Sequence, residues 1–214
     1  MPTGTVYIID DDPALLANIS ALVRFAGYEV RCWGDPKAFL ADIPNDAPAV
    51  LITDMNMPGA SGIDVHKELT TRGRRLPVIY ISGRSTARDV VGAMKLDAQD
   101  FLVKPFSREE LLAAVGAAIE RDRRAMHEII EKARVREALA HLSPREREVR
   151  ELLLQGYGNG EIVEALGISL ETAKQYKSEV MRKMGARSLS QFMATNRTIA
   201  ERAERDRKST RLNS

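Results

Sequence analysis

Cysteine is almost absent from this sequence: Cys32 is the only one among 214 residues. No internal disulfide can form, a reducing cytoplasm fits, and zinc sites built on Cys/His clusters are excluded. Arg31 and Trp33 beside it supply nothing to activate the thiol, so Cys32 reads as core filler. The three histidines, His66, His127 and His141, stand at non-ligand spacing and read as surface or packing residues. Long apolar runs are also missing, and none is long enough to span a bilayer, so no membrane association is expected. Met1-Pro2-Thr3-Gly4 leads straight into a β-prone run without the layout of a signal peptide, and a cytoplasmic location is expected. The glycines of Gly156-Tyr157-Gly158-Asn159-Gly160 follow a helix and lack a Lys-Ser/Thr pair, which excludes a phosphate loop.

What remains is ordinary globular composition, with 44% hydrophobic and 29% charged residues, enough for one or two domains with their own cores. The net charge of +2 conceals an asymmetry. Through Arg121 there are 13 Lys/Arg against 16 Asp/Glu, and from Asp122 onward 19 against 14. An acidic half joined to a basic half points to different partners, with nucleic acid a candidate for the second.

In the first half, Val50-Leu51-Ile52-Thr53 is an apolar run closed by one carboxylate, Asp54, and broken at Met57-Pro58-Gly59. That pattern reads as a buried parallel strand. Four further strands are expected at Thr5–Ile9, Tyr28–Trp33, Pro77–Ile81 and Asp100–Val103, with helical periodicity between them. Asp12-Pro13 and Asp35-Pro36 are helix starts, and Ser107 with Glu110 forms a capping box. Five strands alternating with helices predict a doubly wound parallel α/β domain. Asp10, Asp11, Asp54, Ser82 and Lys104 then all fall at the carboxyl ends of strands, where such sheets place their ligands. Three neighbouring carboxylates need a cation among them, and oxygen-only ligands favour Mg²⁺. With that charge balanced, Asp54 can attack phosphorus as an anionic nucleophile, while Lys104 and the Ser82 hydroxyl hold phosphoryl oxygens.

This constellation resembles the receiver domain of two-component response regulators, over residues 4 to about 121. The carrying residues are Ile8-Ile9-Asp10-Asp11-Asp12, Thr53 to Gly59, Ser61-Gly62, Tyr80-Ile81-Ser82-Gly83 and Asp100 to Phe106. The resemblance implies a flavodoxin-like fold, Asp54 as phosphoacceptor, and Mg²⁺ between Asp10, Asp11, Asp54 and the Asn56 backbone carbonyl. It also implies Ser82 and Phe101 as a switch pair and a cis Lys104-Pro105 bond. Arg84 is expected at the pocket mouth. Asp97 departs from the glycine common after the fourth helix, which predicts strain or a shifted turn there.

From Glu120 to Glu137 nothing interrupts a helix, and a lengthened last receiver helix or a linker helix is expected. Ser143, Pro144 and Glu146 then make a clean helix start. Two short helices separated by Gly167 form a helix-turn-helix, followed by a fourth helix from Ser188 to about Ala200. The helix from Leu170 to Met184 and the turn after it carry Lys174, Lys177, Arg182, Lys183 and Arg187, a basic face suited to the major groove. The stretch resembles the LuxR-type helix-turn-helix of FixJ/NarL-like regulators, over residues 140 to about 200. Leu142 to Glu146, Asn159 to Ile162, Leu166 to Ser169, Thr172-Ala173-Lys174 and Lys183 to Ser188 carry that likeness. It implies that Lys174, Gln175 and Ser178 face bases and that Thr172, Tyr176, Lys177 and Arg187 lie toward phosphates. Gly160, Val163, Ala173 and Tyr176 depart from the usual residues.

The expected layout is a receiver over 1–121, a helical linker over 122–140, an all-α four-helix DNA-binding domain over 141–200, and a disordered or artefactual tail over 201–214. The resemblances together imply a response regulator acting as a transcription factor rather than an enzyme. Its expected partners are a sensor histidine kinase, promoter DNA, a second copy on activation, and RNA polymerase. A phosphorylation-independent DNA binder and a phosphate sink are the alternatives. An aspartyl-phosphate phosphatase usually needs a second acid two residues after the nucleophile, where this chain has Asn56.

Overall fold

The computed structural model describes residues 4–83, 87–194 and 196. Arg84, the expected helical positions 195 and 197–200, and the tail 201–214 lie outside the described residues. The chain divides into two compact units, Met1–Glu128 and Ile129–Ser214.

The first unit alternates strands and helices: β1 (Thr5–Ile9), α1 (Pro13–Phe25), β2 (Glu29–Trp33), α2 (Pro36–Ala41), β3 (Ala49–Asp54), α3 (Gly62–Thr71), β4 (Val78–Ser82), α4 (Ala87–Lys95), β5 (Asp100–Val103) and α5 (Arg108–Ala140). The sheet is five-stranded and parallel, in the order β2-β1-β3-β4-β5. Period-two alternation sends successive strand residues to opposite faces. Val6, Ile8, Val50, Ile52, Ile79 and Ile81 form one core with α1 and α5. Tyr7, Ile9, Leu51, Val78 and Tyr80 form the other with α2 and α3. Both faces of the central strands are covered, which explains their continuous apolar runs.

Short-range chemistry starts the helices. Asp12 accepts from the N–H groups of Ala14 and Leu15, Asp35 from those of Lys37 and Ala38, and a proline follows each aspartate. Ser61 and Asp64 form a reciprocal capping box at α3, and Ser107 and Glu110 do the same at α5.

One expectation needs correction. Cys32 is exposed rather than core filler, because β2 is the sheet edge and its outer flank has no neighbouring strand. Its sulfur lies 2.9 Å from the Ser20 hydroxyl. At Asp97 the expected strain is present and the turn is unshifted: the residue adopts φ 61°, the only left-handed non-glycine among the described residues. That costs about 1 kcal/mol relative to glycine, and the Arg121 guanidinium binds the Asp97 carboxylate at this turn.

The second unit contains the end of α5, then α6 (Pro144–Leu154), α7 (Asn159–Leu166) and α8 (Leu170–Lys183), with helical backbone again over 189–194. Val135, Leu142, Val149, Leu153, Ile162, Ala173, Val180 and Phe192 form its core. Gly167 takes φ 61° and ends α7 in a left-handed cap, and Ser169 caps α8.

Gly62 sits where α3 is packed against the end of β3. A Cβ there would lie 2.5 Å from the Asp54 carbonyl oxygen and 2.9 Å from Thr53 Cγ2. Gly62→Ala is expected to destabilise the first unit by about 2 kcal/mol through overpacking against fixed backbone. At Gly116 the nearest contact would be an ordinary 3.7 Å to the Tyr28 hydroxyl. Gly116→Ala is therefore expected to stabilise the unit by about 0.5 kcal/mol through helix propensity. Urea unfolding of the two variants checks both signs.

Candidate functional site

Parallel register brings the expected polar residues to one end of the sheet. Ile9 pairs with Thr53, Asp54 with Ile81, and Ser82 with Val103, so Asp10, Asp54, Ser82 and Lys104 emerge side by side. The Lys104 ammonium lies 2.5 Å from Asp54 Oδ2 and 3.4 Å from Asp10 Oδ2. Asp10 is buried, and its other oxygen accepts the Asp12 N–H at 2.8 Å. The remaining Asp54 oxygen accepts the Asn56 N–H at 2.9 Å. The Asp54 carboxylate is thus held on both oxygens, by a cation on one side and a backbone dipole on the other.

The electrostatics follow from partial burial. Desolvation raises the Asp10 pKa above the usual carboxylate range, outweighing the Asp12 N–H and the Lys104 charge. Burial pulls the Lys104 ammonium downward, but its hydrogen bond to Asp54 and the charges of Asp10 and Asp54 leave its pKa raised overall. The pocket therefore keeps a stable cation between two acids.

Ser82 Oγ is buried without a hydrogen-bond partner. An unsatisfied buried hydroxyl costs roughly 1–3 kcal/mol and marks a place where an acceptor fits. Phe101 is half-buried on β5, pairs in register with Tyr80, and its ring lies 6.5 Å from the Tyr80 ring. Lys104-Pro105 is cis.

The structure does not bring every expected acid into this cluster. Asp11 is exposed, and among the described residues no three His, Cys, Asp or Glu side chains gather into a metal cluster. The donor chemistry still suits Mg²⁺. Asp10 and Asp54 converge on one cationic position with hard oxygens, and Mg²⁺ typically takes one or two carboxylates with water and phosphate oxygens.

Of the two readings expected for His66, surface or packing, the structure shows packing. His66 is buried, and its Nδ1 lies 2.9 Å from the Tyr80 hydroxyl, directly beneath the Tyr80–Phe101 pair. His66 stands at helical spacing from Ile63 and Leu69, on the inner face of α3.

In the second unit, Lys174, Gln175 and Ser178 are exposed on one side of α8. Thr172 is half-buried and its hydroxyl lies 2.8 Å from that of Ser169, at the helix cap. Tyr176 packs against the core, Lys177 is half-buried, and Arg187 is exposed beyond the helix end. The basic face is smaller than expected. Lys183 turns back to bond both oxygens of Glu146 at 2.7 Å, and Arg182 pairs with Glu179 at 2.7 Å. Glu146 is buried and also accepts the Ser143 N–H, so one carboxylate caps α6 and anchors the end of α8.

Residues 6–116 match the family described as "Response regulator receiver domain", and residues 140–201 match "Bacterial regulatory proteins, luxR family". The chain is 36% identical to response regulator protein TodT of Pseudomonas putida, over 94% of this chain and 88% of that protein. It is 39% identical to transcriptional regulatory protein FixJ of Azorhizobium caulinodans, over 88% and 89% respectively. Among solved structures it resembles response regulator StyR, with a TM-score of 0.78 and 29% identity over 92% of this chain and all of that one. Full-length FixJ from B. japonicum matches with a TM-score of 0.57 and 35% identity over 90% and 95%.

The Lys183–Glu146 pair generates a pH-dependent expectation. The Lys183 hydrogen bond, with the Ser143 N–H, holds Glu146 below the usual carboxylate range. A depressed folded-state pKa contributes stability above the unfolded pKa and loses it as pH falls through the folded one. Lys183→Met should cost about 2 kcal/mol at neutral pH by leaving a buried carboxylate unpaired. The gap from the unsubstituted chain should close as acid protonates Glu146. Hydrogen exchange of α6–α8 amides across that pH range measures both effects.

Proposed function

The chain belongs to the response regulators that join a receiver domain to a LuxR-family DNA-binding domain, and on that premise we propose that Asp54 is its phosphoacceptor. Transcription regulation governed by phosphorylation is the function of the whole. The observation that carries the residue assignment is the Lys104 ammonium bridging Asp54 and Asp10 beside an unpartnered Ser82 hydroxyl.

The proposed chemistry starts from a phosphohistidine on a sensor kinase. Asp54 attacks phosphorus, the N–P bond breaks, and the histidine nitrogen leaves with the electron pair of that bond. Lys104 moves its hydrogen bonds from the carboxylates to phosphoryl oxygens, and the Ser82 hydroxyl donates to another. Mg²⁺, when bound by Asp10, Asp11, Asp54 and the Asn56 carbonyl, supplies the balancing charge for the transferring group. Ser82 and Phe101 act as the switch pair: movement of Ser82 toward the phosphoryl group opens space into which Phe101 turns. The altered surface biases pairing with a second copy and hence occupancy of DNA half-sites.

We assign the receiver to 1–121, the helical linker to 122–140 and the DNA-binding domain to 141–200. Exposure of Lys174, Gln175 and Ser178 supports base contact by these three. Thr172, Tyr176, Lys177 and Arg187 are assigned to the phosphate side. RNA polymerase is the downstream partner, and the site of action is the cytoplasm; no described helix is long and apolar enough to cross a membrane.

With acetyl phosphate as donor, the unsubstituted chain is expected to incorporate phosphate and to strengthen its footprint on its own upstream DNA. Asp54→Asn should take up none and show no donor-dependent footprint. Intact-mass measurement and footprinting on the same samples check this, and an undiminished donor response in Asp54→Asn would sink the assignment.

A further inference from the structure

A polar pair lies inside the apolar core of the first unit and takes no part in the chemistry proposed at Asp54. His66, on the inner face of α3, and Tyr80, in the middle of β4, are both buried, and Nδ1 of the first lies 2.9 Å from the hydroxyl of the second. Burial holds the His66 pKa below its ordinary value, although the Asp97 charge pulls it upward. Burial also raises the pKa of the Tyr80 hydroxyl. At neutral pH a neutral imidazole therefore meets a protonated hydroxyl.

Strand geometry sets this pair beside the switch residues. Tyr80 and Ser82 stand two apart on β4 and so point to the same face of the sheet. Tyr80 is also the register partner of Phe101 on β5. Its ring has the His66 ring at 6.0 Å on the α3 side and the Phe101 ring at 6.5 Å on the β5 side. The core cluster that holds it, with Met57, Val65, Leu69 and Ala93, is apolar, and His66 makes the hydroxyl's one hydrogen bond among the described residues. A buried tyrosine hydroxyl without a partner is costly, so this bond decides which way the ring leans. Without it, the hydroxyl would find a partner by swinging away from α3, toward the side where Phe101 is only half-buried.

We propose that His66 is a positioning residue for the switch: by holding the Tyr80 hydroxyl on the α3 side, it keeps the Tyr80 ring out of the space beside Ser82 into which Phe101 turns. The inference rests on the proposed Ser82–Phe101 switch and adds the residue that keeps its inward position open. His66 has no hydrogen bond to Asp54, Lys104 or Ser82, so phosphate uptake does not depend on it.

The test is fluorine NMR of the full chain carrying para-fluorophenylalanine, with acetyl phosphate as donor and phosphate uptake read by intact mass on the same samples. The chain has five phenylalanines, and Phe101→Leu identifies the Phe101 line by its loss. In the unsubstituted chain the donor is expected to move that line to a second, inward position. His66→Leu should take up as much phosphate but lower the ratio of inward to outward Phe101 about tenfold, the effect of one unmet buried hydroxyl. His66→Asn, whose amide stands where Nδ1 does, should restore the response. His66→Leu combined with Tyr80→Phe should restore it too, because no hydroxyl is left to satisfy. That double variant removes both polar partners and leaves the core apolar, so it is expected to fold even where His66→Leu alone does not. A chain that takes up no phosphate, or takes it up without moving the Phe101 line, overturns the switch and this inference with it. Where the line does move, the inference alone falls if phosphorylated His66→Leu turns Phe101 inward as fully as the unsubstituted chain, or if His66→Asn or the double variant fails to turn it.

Discussion

Two carboxylates at the end of a parallel sheet repel each other, and the arrangement survives because one ammonium lies within hydrogen-bonding range of both. Lys104 contributes that ammonium from the turn after β5, while the acids come from β1 and β3. Three strands must therefore hold register for the charges to balance. The continuous apolar runs and the cores on both sheet faces make that register rigid. The proposed phosphorylation of Asp54 depends on the same balance: a phosphoryl group there would bring new anionic oxygens, and Lys104 would have to redistribute its contacts to meet them. The groups that share this charge belong to separate strands, so a change at one of them would reach the packing of the sheet.

Much of this was legible because the signals are local. A four-residue apolar run ending in a lone acid marked β3, Asp-Pro pairs marked α1 and α2, and Ser143 with Glu146 marked α6. The cluster of Asp10, Asp54, Ser82 and Lys104 followed from the shared strand-end position, which parallel topology makes a shared place in space. What failed depended on direction or on distance along the chain. Cys32 reads as core because its neighbours supply nothing to activate a thiol, and only the strand order reveals that β2 is an edge. Lys183 looks like one of five cations on a DNA-facing helix, and its partner Glu146 stands far earlier in the sequence.

Helix ends recur as the structural joints of both units. Asp64 at α3 and Glu110 at α5 complete their boxes at exposed positions, whereas Glu146 is buried and serves two helices. In each case a serine and an acid satisfy N–H groups that would otherwise lack partners. The left-handed turns after α4 and α7 end their helices abruptly, at Asp97 through a side chain held by Arg121 and at Gly167 through glycine itself. Placing an aspartate at the first of these turns trades some backbone ease for an ionic tie between α4 and α5.

The inward turn of Lys183 alters how many mobile counterions this helix can displace. A cation already neutralised by a buried carboxylate holds no condensed ion in exchange for a DNA phosphate, and a cation shared with Glu179 gives up little. Of the five basic side chains from Lys174 to Arg187, Lys174, Lys177 and Arg187 are then the ones whose charge would set the steepness with which salt weakens the proposed association. Sequence charge thus overstates the nonspecific grip of the helix.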